Sequence, residues 1–352
     1  MMSDGTRFGA SKVEDFLTSA FAILGVPDAD AAAVAHLMVR ADLYGYDTHG
    51  TFRLRQYVNR LRDGGTNPKP RVSTIVDNGA TAVVDGDNGL GHLAMTYATK
   101  LAMDKAAAQG IGWVGVRNGN HAGPASLYVK MPVERDMIGI YGAVGSANHV
   151  PPFGGMEKLL GTNPIAIAVP AGTTAPFILD MATTTAASGK IKTLAQRGEA
   201  MPEGWMVGPD GQPLTDPARQ QEGFLLPIGG AKGYGLALAI GLLAGVLNGA
   251  ALGKDVVEFS KNTVDPTNTG QFIAAISIAA FADIATFKST VDEVFQSLRQ
   301  SATLPGHDAV RIPGQDRDAV FDERSKNGIP LHPSLIANLS EIAVELGITK
   351  LN

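Results

Sequence analysis

Two histidines, an arginine and a lysine stand in loops otherwise made of small or uncharged residues. The first loop is Thr48-His49-Gly50-Thr51-Phe52-Arg53, with Tyr57 four residues further on. The second is Asn118-Gly119-Asn120-His121-Ala122-Gly123. The third is Gly229-Gly230-Ala231-Lys232-Gly233-Tyr234-Gly235. Imidazole moves protons near neutral pH. A guanidinium holds a carboxylate through two parallel bonds. A Gly-rich loop with a lysine at a helix start offers free N–H groups and positive charge to an anion. Such a set suits an enzyme that binds a dinucleotide and reduces a small acid.

Each motif also has a plainer reading. If Thr48 caps a helix, His49, Arg53 and Tyr57 share one face at i, i+4 and i+8; otherwise this is a solvated helix start with a surface arginine. His121, just past a strand end, reads as an exposed side chain near its ordinary pKa, or as an incidental residue of a turn. Phe177-Ile178-Leu179-Asp180 ends a strand in an acid that could accept a ribose hydroxyl, orient a histidine, or cap a helix over 181–188, the commoner role. The lysine loop lacks the spacing of a P-loop. Gly110-Ile111-Gly112-Trp113-Val114-Gly115 fits G-x-G-x-x-G, but a helix precedes it and a strand contains it, the reverse of the dinucleotide context. We read it as coincidence in a chain with 42 glycines. His49, His92, His121, His149, His307 and His332 show no metal-binding spacing, so no metal site is expected.

The elements that position these loops follow from periodicity. Ser11-Lys12-Val13-Glu14 reads as a capping box for a first helix, ended by Gly25 and Pro27. Further helices are expected over 31–43 and from Thr48 to Leu61. Strands are expected at 72–76, 80–85, 111–117, 138–143, 165–169, 177–180 and 272–278. Helices are expected at 93–109, 233–247 and 286–301, from Asp322 and over 333–346. The fold class is mixed α/β (α+β). Residues 1–70 with 290–352 form a helical lobe, and 71–289 a central lobe for cofactor and substrate.

Composition narrows the function classes. With 352 residues, 45% hydrophobic and 18% charged, the chain is globular. A net charge of −5 without a basic tract argues against a nucleic-acid partner. The absence of cysteine removes thiolate chemistry and suits a reducing cytoplasm. Residues 1–10 do not read as a signal peptide. Gly233 to Gly253 runs uncharged between Lys232 and Lys254, long enough to nominate a membrane span. Gly241, Gly245 and Gly249, spaced by four, instead suggest a close-packed core or interface helix, with no membrane partner.

Taken together, the chain resembles the type-2 malate/L-lactate dehydrogenase family, which includes sulfolactate, ureidoglycolate and diketogulonate dehydrogenases and cyclic-imine reductases. The resemblance rests on Asp47-Thr48-His49-Gly50 with Arg53 and Tyr57, and on Ile111-Gly112 through Asn118-Gly119-Asn120-His121. It continues through Gly161-Thr162-Asn163-Pro164, Leu179-Asp180-Met181-Ala182-Thr183, the 229–235 loop and Arg311-Ile312-Pro313-Gly314, in order over roughly residues 10–340. It implies a non-Rossmann fold binding NAD or NADP, and a homodimer. It implies that His49 or His121 donates the proton and that Arg53 holds the substrate carboxylate, with Thr48 and Tyr57 beside it. Asp180 would sit by the cofactor or a histidine. Ser146, Asp180, Met181, Ala182, Ala231, Lys232, Gly314, Gln315 and Asp316 would line the cofactor. The expected reaction is hydride transfer at C2 of a small 2-oxo or 2-hydroxy acid, or at the C=N of a cyclic imine carboxylate. Thr48, Gly119 and Ala122 stand where the family commonly has serine, serine and an aromatic. A smaller residue at 122 enlarges the substrate space. The reading from a different class is a non-catalytic phosphate-ligand binding protein using the lysine loop.

Overall fold

The structure, a computed structural model, describes residues 5–351; the first four residues of the stretch read against a signal peptide, and Asn352, lie outside the described residues. Strand β1 (Thr6–Phe8) leads into helices α1 (Ala10–Ile23), α2 (Asp28–Leu43) and α3 (Leu54–Asp63). The central layer follows as β2 (Ser73–Asn78), β3 (Thr81–Asp85), α4 (Gly91–Gln109), β4 (Ile111–Arg117), α5 (Ser126–Val133), β5 (Met137–Ala143), β6 (Ile165–Val169) and β7 (Phe177–Met181). Then come α6 (Ser188–Arg197), the short pair β8 (Met206–Val207) and β9 (Phe224–Leu225), α7 (Ala231–Ala244) and β10 (Gln271–Ser277). The chain closes with α8 (Ile284–Arg299), α9 (Gln315–Asn327), β11 (Ile329–Leu331) and α10 (Pro333–Leu346).

β10 lies at the centre of a seven-stranded sheet ordered β2-β3-β4-β10-β5-β6-β7. Its pairings to β4 and β5 are antiparallel, while β3 and β4 run parallel, joined by the α4 crossover. Alternation along β10 places Ile273 on the face covered by α4 and α5, and Phe272 on the face covered by α7. The glycines of the false dinucleotide fingerprint have packing roles. A Cβ on Gly112 would stand 2.0 Å from the Ala102 carbonyl oxygen on α4, and one on Gly115 would stand 1.9 Å from Asn248 Oδ1. Close helix–sheet contact therefore requires them.

The helical core joins both ends of the chain. Val13, Phe16, Leu17, Val34, Met38, Leu54 and Val58 pack with Leu339, Ile342 and Ala343 of α10, and β1 pairs antiparallel with β11. The expected boundary at residue 290 falls inside α8. Phe295 of that helix packs with Ala171 and Ile312, next to Phe177 of β7, so α8 stays with the sheet.

Three local expectations are corrected. α1 begins at Ala10 with Gly9 as its cap and no side-chain capping bond, so Ser11 lies inside the helix. The helix expected from Thr48 starts later: 47–50 is a turn, Thr51–Arg53 a 3-10 turn, and α3 opens at Leu54. The apolar run after Lys232 is not one continuous helix. α7 stops at Ala244, and Gly245 leaves helical geometry (φ −93°, ψ −83°). Asn248 then turns back, its Nδ2 donating to the carbonyls of Leu243, Ala244 and Gln271. The run from Ala231 to Asn248 is apolar enough in composition to cross a membrane. Its Ala237, Ile240, Gly241 and Ala244 nonetheless face the protein interior.

Candidate active site

The His49 loop is set by a buried acid behind it. Asp42 on α2 accepts hydrogen bonds from the Thr51 backbone N–H (2.8 Å) and the Thr51 hydroxyl (2.5 Å). Burial pushes the Asp42 carboxyl up to about 7, against the pull of the Thr51 bonds. Gly50 passes so close that a Cβ there would stand 2.1 Å from Asp42 Oδ1. We expect Gly50→Ala to displace the loop, costing about 1–3 kcal/mol of stability by overpacking and lowering kcat/KM more than Tm loss accounts for. Thermal melts beside kinetics at a fixed folded fraction check this; unchanged kinetics would mean the loop position is unimportant.

The turn carries His49 and Arg53 into the interior from opposite ends. His49 Nδ1 shares a 2.9 Å hydrogen bond with the Thr48 hydroxyl. Arg53 donates through Nε to the Thr48 carbonyl (2.8 Å) and through one terminal nitrogen to Gln56 Oε1 (3.0 Å). Tyr57 lies one turn into α3, fully buried, and its hydroxyl is 2.6 Å from His121 Nδ1. The two imidazoles stack with ring centroids 5.6 Å apart. The i, i+4, i+8 convergence thus survives, although a turn and a 3-10 segment deliver it instead of one helix face.

His121 is not the exposed, freely adjusting group its loop composition suggests. Asn120 anchors the loop by donating to the carbonyls of Asn88 and Gly89 (2.8 Å each), and Thr267 donates to the Gly119 carbonyl and Asn120 Oδ1. Burial, with Arg53 and His49 nearby, holds the His121 imidazole well below its usual pKa. Burial and Arg53 likewise push His49 down to about 3. Both rings are therefore neutral in the free protein at neutral pH. The Gly123 N–H also points at His121 Nδ1 (3.3 Å). With the Tyr57 hydroxyl as a second donor there, the ring proton is assigned to Nε2.

His49, Arg53 and His121 border one cleft of about 360 Å³, shared with Ser146, Thr162 and Gln271. Asn163, fully buried, supports the floor: its Oδ1 accepts from the Gly145 N–H (2.8 Å) and its Nδ2 donates to the Ala237 carbonyl (2.7 Å). Among the described residues the buried Gln271 Oε1 has no hydrogen-bond partner, although Gln271 borders the cleft. Of the expected cofactor positions, Ser146 lines this cleft and the others do not. Met181 ends β7, Ala182 follows it, and the next residue, Thr183, donates its N–H to the Thr162 carbonyl (2.9 Å) and accepts from the Ile228 N–H (3.0 Å). Ala231 and Lys232 begin α7 on the exposed surface. Gly314, Gln315 and Asp316 open α9 beside β7, held by the Ile178 N–H bonding to the Pro313 carbonyl (3.0 Å).

Asp180 plays neither role expected of it near a histidine or over 181–188, which holds no helix before Ser188. Its Oδ2 accepts the Ser126 N–H (2.8 Å) at the first turn of α5. Burial raises its carboxyl above the usual range, while the Ser126 bonds and Arg317 oppose this. A capping role was legible, but the helix it caps lies far away in sequence. The sequence also did not single out Lys192, Glu258 and Lys261, which border the cleft, nor His149 as a cleft residue. Each stands alone among ordinary surface-like neighbours, so no spacing signal marks it. Among the described residues no group of His, Asp and Glu could hold a metal.

The sequence matches the malate/L-lactate dehydrogenase family over residues 8–340. The chain belongs to the malate/L-lactate dehydrogenase family. It is 42% identical over 327 residues to an L-sulfolactate dehydrogenase of Methanocaldococcus jannaschii, covering 92% of each chain. It is 37% identical over 352 residues to a malate dehydrogenase of Pyrococcus abyssi, covering 97% of this chain and 95% of that one. The solved structure of sulfolactate dehydrogenase from Methanocaldococcus jannaschii superposes with a TM-score of 0.90 at 39% identity over 98% of both chains. The protein is thus an oxidoreductase of this family, and a nicotinamide cofactor goes with the family. The cleft suits the nicotinamide end. Ser146 and Thr162 on its wall offer hydroxyls to a carboxamide, while Gly145 and Gly161 let two loop segments there close to backbone contact, since a Cβ on either would meet the other segment at 2.7–2.8 Å.

Proposed function

We propose that this member of the malate/L-lactate dehydrogenase family uses NAD or NADP to interconvert a small 2-oxo acid and its 2-hydroxy acid. One observation carries the reading: His49, Arg53 and His121 meet in one cleft, with His121 oriented by Tyr57. The bound nicotinamide supplies hydride to substrate C2, or takes it in the reverse direction. Arg53 is half-committed to Thr48 and Gln56 and has donors left to fork onto the C1 carboxylate. That fixes C2 and its oxygen in position. His121 presents its Nε2–H to the substrate oxygen, where negative charge builds as C2 is reduced. The ring first takes up a proton on Nδ1 as the acid binds; Nε2 then passes its proton to that oxygen, leaving a neutral ring whose Nδ1–H donates to the Tyr57 hydroxyl oxygen. In the reverse direction the neutral ring carries its proton on Nδ1, and the bare Nε2 takes the hydroxyl proton. A cyclic imine carboxylate would receive its proton on nitrogen by the same arrangement.

In this reading Asp180, Met181, Ala182, Ala231, Lys232, Gly314, Gln315 and Asp316 would hold the rest of the dinucleotide outside the cleft. Asp180 acts as a positioning residue through Ser126 and α5. We include a cytoplasmic homodimer, supported by the exposed apolar Leu242, Leu243, Val246 and Leu247 on and after α7. The test incubates the protein with NADH or NADPH and a panel of 2-oxo acids and cyclic imine carboxylates while the absorbance of reduced nicotinamide is followed. Turnover of an acid supports the reading; cofactor binding with no turnover of any panel member would favour the non-catalytic ligand-binding alternative.

A pH dependence follows from the shifts at the site. Beside burial, the Arg53 charge depresses the pKa of both His49 and His121. A bound carboxylate cancels that charge, so the imidazole's affinity for a proton rises on binding. Binding then takes up a proton, and affinity for the oxo acid falls as pH rises through the bound-state pKa. We expect KM for the oxo acid to increase with pH, and calorimetric titrations in two buffers of different ionisation heat to report proton uptake. A flat KM without uptake would argue that the histidines stay neutral in the complex.

A further inference from the structure

Part of the cleft wall comes from a segment that carries no sequence motif. Glu258, Phe259, Ser260 and Lys261 border the cleft, in the loop that runs from α7 to β10. Phe259 is only 3% exposed, deep for a loop residue. Its ring stacks on the His121 imidazole, with centroids 5.6 Å apart and planes 25° from parallel. It also meets the Tyr57 ring near edge-on at 6.1 Å. The phenyl therefore packs against both members of the His121–Tyr57 pair.

A buried arginine holds the segment in that place. Arg60 lies on α3, three residues after Tyr57, and is 0% exposed. Its guanidinium carbon stands 4.8 Å from the centre of the Phe259 ring. Its terminal nitrogens donate to the carbonyls of Asn262, Gly65 (2.7 Å) and Asp265 (2.8 Å). The Phe259 N–H donates to the Ser146 carbonyl (2.9 Å), and the Thr263 hydroxyl donates to Asp63 (2.7 Å). A Cβ on Gly65 would stand 2.4 Å from the Thr263 carbonyl oxygen, so α3 and the segment meet backbone to backbone. Burying an arginine costs desolvation. What that cost secures is the position of the ring facing His121.

Resting on the reading given under Proposed function, we infer that Phe259 is a positioning residue for His121, with Arg60 and the 258–265 segment as its mount. The Tyr57 bond fixes one ring atom, Nδ1, and leaves the imidazole plane free to tilt about it. A flat apolar ring at stacking distance removes the tilt, so Nε2 keeps its aim at the substrate oxygen. The same phenyl keeps water off the imidazole. Burial is the main cause of the depressed His121 pKa, and the facing charges of Arg53, His49 and His92 add to it. Phe259 carries no charge and acts on protonation through desolvation alone. Glu258 and Lys261, on either side of it in the chain, pair with each other at 3.1 Å.

Full-length Phe259→Leu and Phe259→Ala separate aim from desolvation. Leucine keeps the site dry but has no flat face. F259L should lower kcat with a 2-oxo acid about 10–100-fold, the scale of a misaimed group, while the KM for the acid and the fluorescence-read Kd of the reduced cofactor move less than about threefold. The pH at which its kcat/KM falls should not move. Alanine lets water reach the ring. In F259A the His121 protonation midpoint should therefore rise toward the ordinary histidine range, and the fall of kcat/KM should move to higher pH. NMR of the imidazole nitrogens reads that midpoint without turnover, the His121 signal being the one lost in His121→Gln. Arg60→Met should raise the same midpoint and speed amide exchange across 258–265; an unmoved midpoint there would remove Arg60 from the device. Unchanged kcat in F259L, or an unmoved His121 midpoint in F259A, would overturn the inference, since a fall in Tm alone is what any core phenylalanine gives. A midpoint that rises in a protein turning over no 2-oxo acid supports the stack and counts against the proposed reaction instead.

Discussion

Replacing His121 with alanine lowers kcat by about 10²–10⁴-fold, the usual worth of a positioned acid–base group, with the Kd of the cofactor nearly unchanged. The imidazole sits on the cleft wall with Nδ1 fixed by the Tyr57 hydroxyl at 2.6 Å and the Gly123 N–H at 3.3 Å, so its loss removes a proton carrier held in a set orientation. His49 is stacked 5.6 Å away, but its Nδ1 is committed to Thr48. It gives weaker help. The truncation also strands a buried tyrosine hydroxyl, which costs about 1–3 kcal/mol. Loss of activity must therefore be separated from loss of fold. Tyr57→Phe does so: it keeps the ring in the core, frees the orientation of His121, and should lower kcat less than H121A while shifting the pH profile. Added imidazole should restore part of the H121A rate. Full activity in H121A would leave His49 as the proton donor, and full activity in both His49→Ala and His121→Ala would end this acid–base scheme.

Arg53→Lys should raise KM for the acid by roughly 10–100-fold, because a lysine cannot span two carboxylate oxygens. The guanidinium also loses its Thr48 and Gln56 bonds, so the turn before α3 should loosen and kcat should fall as well. The size of the KM effect separates a ligand-holding arginine from a structural one. A merely structural Arg53 would change Tm and leave KM alone. A carboxylate clamp changes KM for every acid of the class in proportion. Initial rates with one acid and one cofactor at varied concentrations decide between these.

Local patterning determined much about this protein. Ile111–Arg117 and Ile165–Val169 are strands over the ranges their apolar runs indicate, and Pro333–Leu346 is a helix packed on the N-terminal helices as its periodicity implies. The order of six motifs, from Asp47-Thr48-His49-Gly50 to Arg311-Ile312-Pro313-Gly314, pointed to the family to which the chain belongs. Those features are legible because hydrophobic period and turn residues act over a few neighbours. What tertiary structure alone decided is the environment of each group. His121 lies in a loop of glycine and asparagine that composition marks as exposed, yet its ring packs among His49, Tyr57 and Phe259, and that burial with the Arg53 charge suppresses its protonation. Asp180 caps a helix begun at Ser126, and Lys192 reaches the Arg53 loop because Gly189 lets α6 pack on Thr48. Burial and charge proximity arise from contacts between residues distant in the chain, and no window of the sequence contains them.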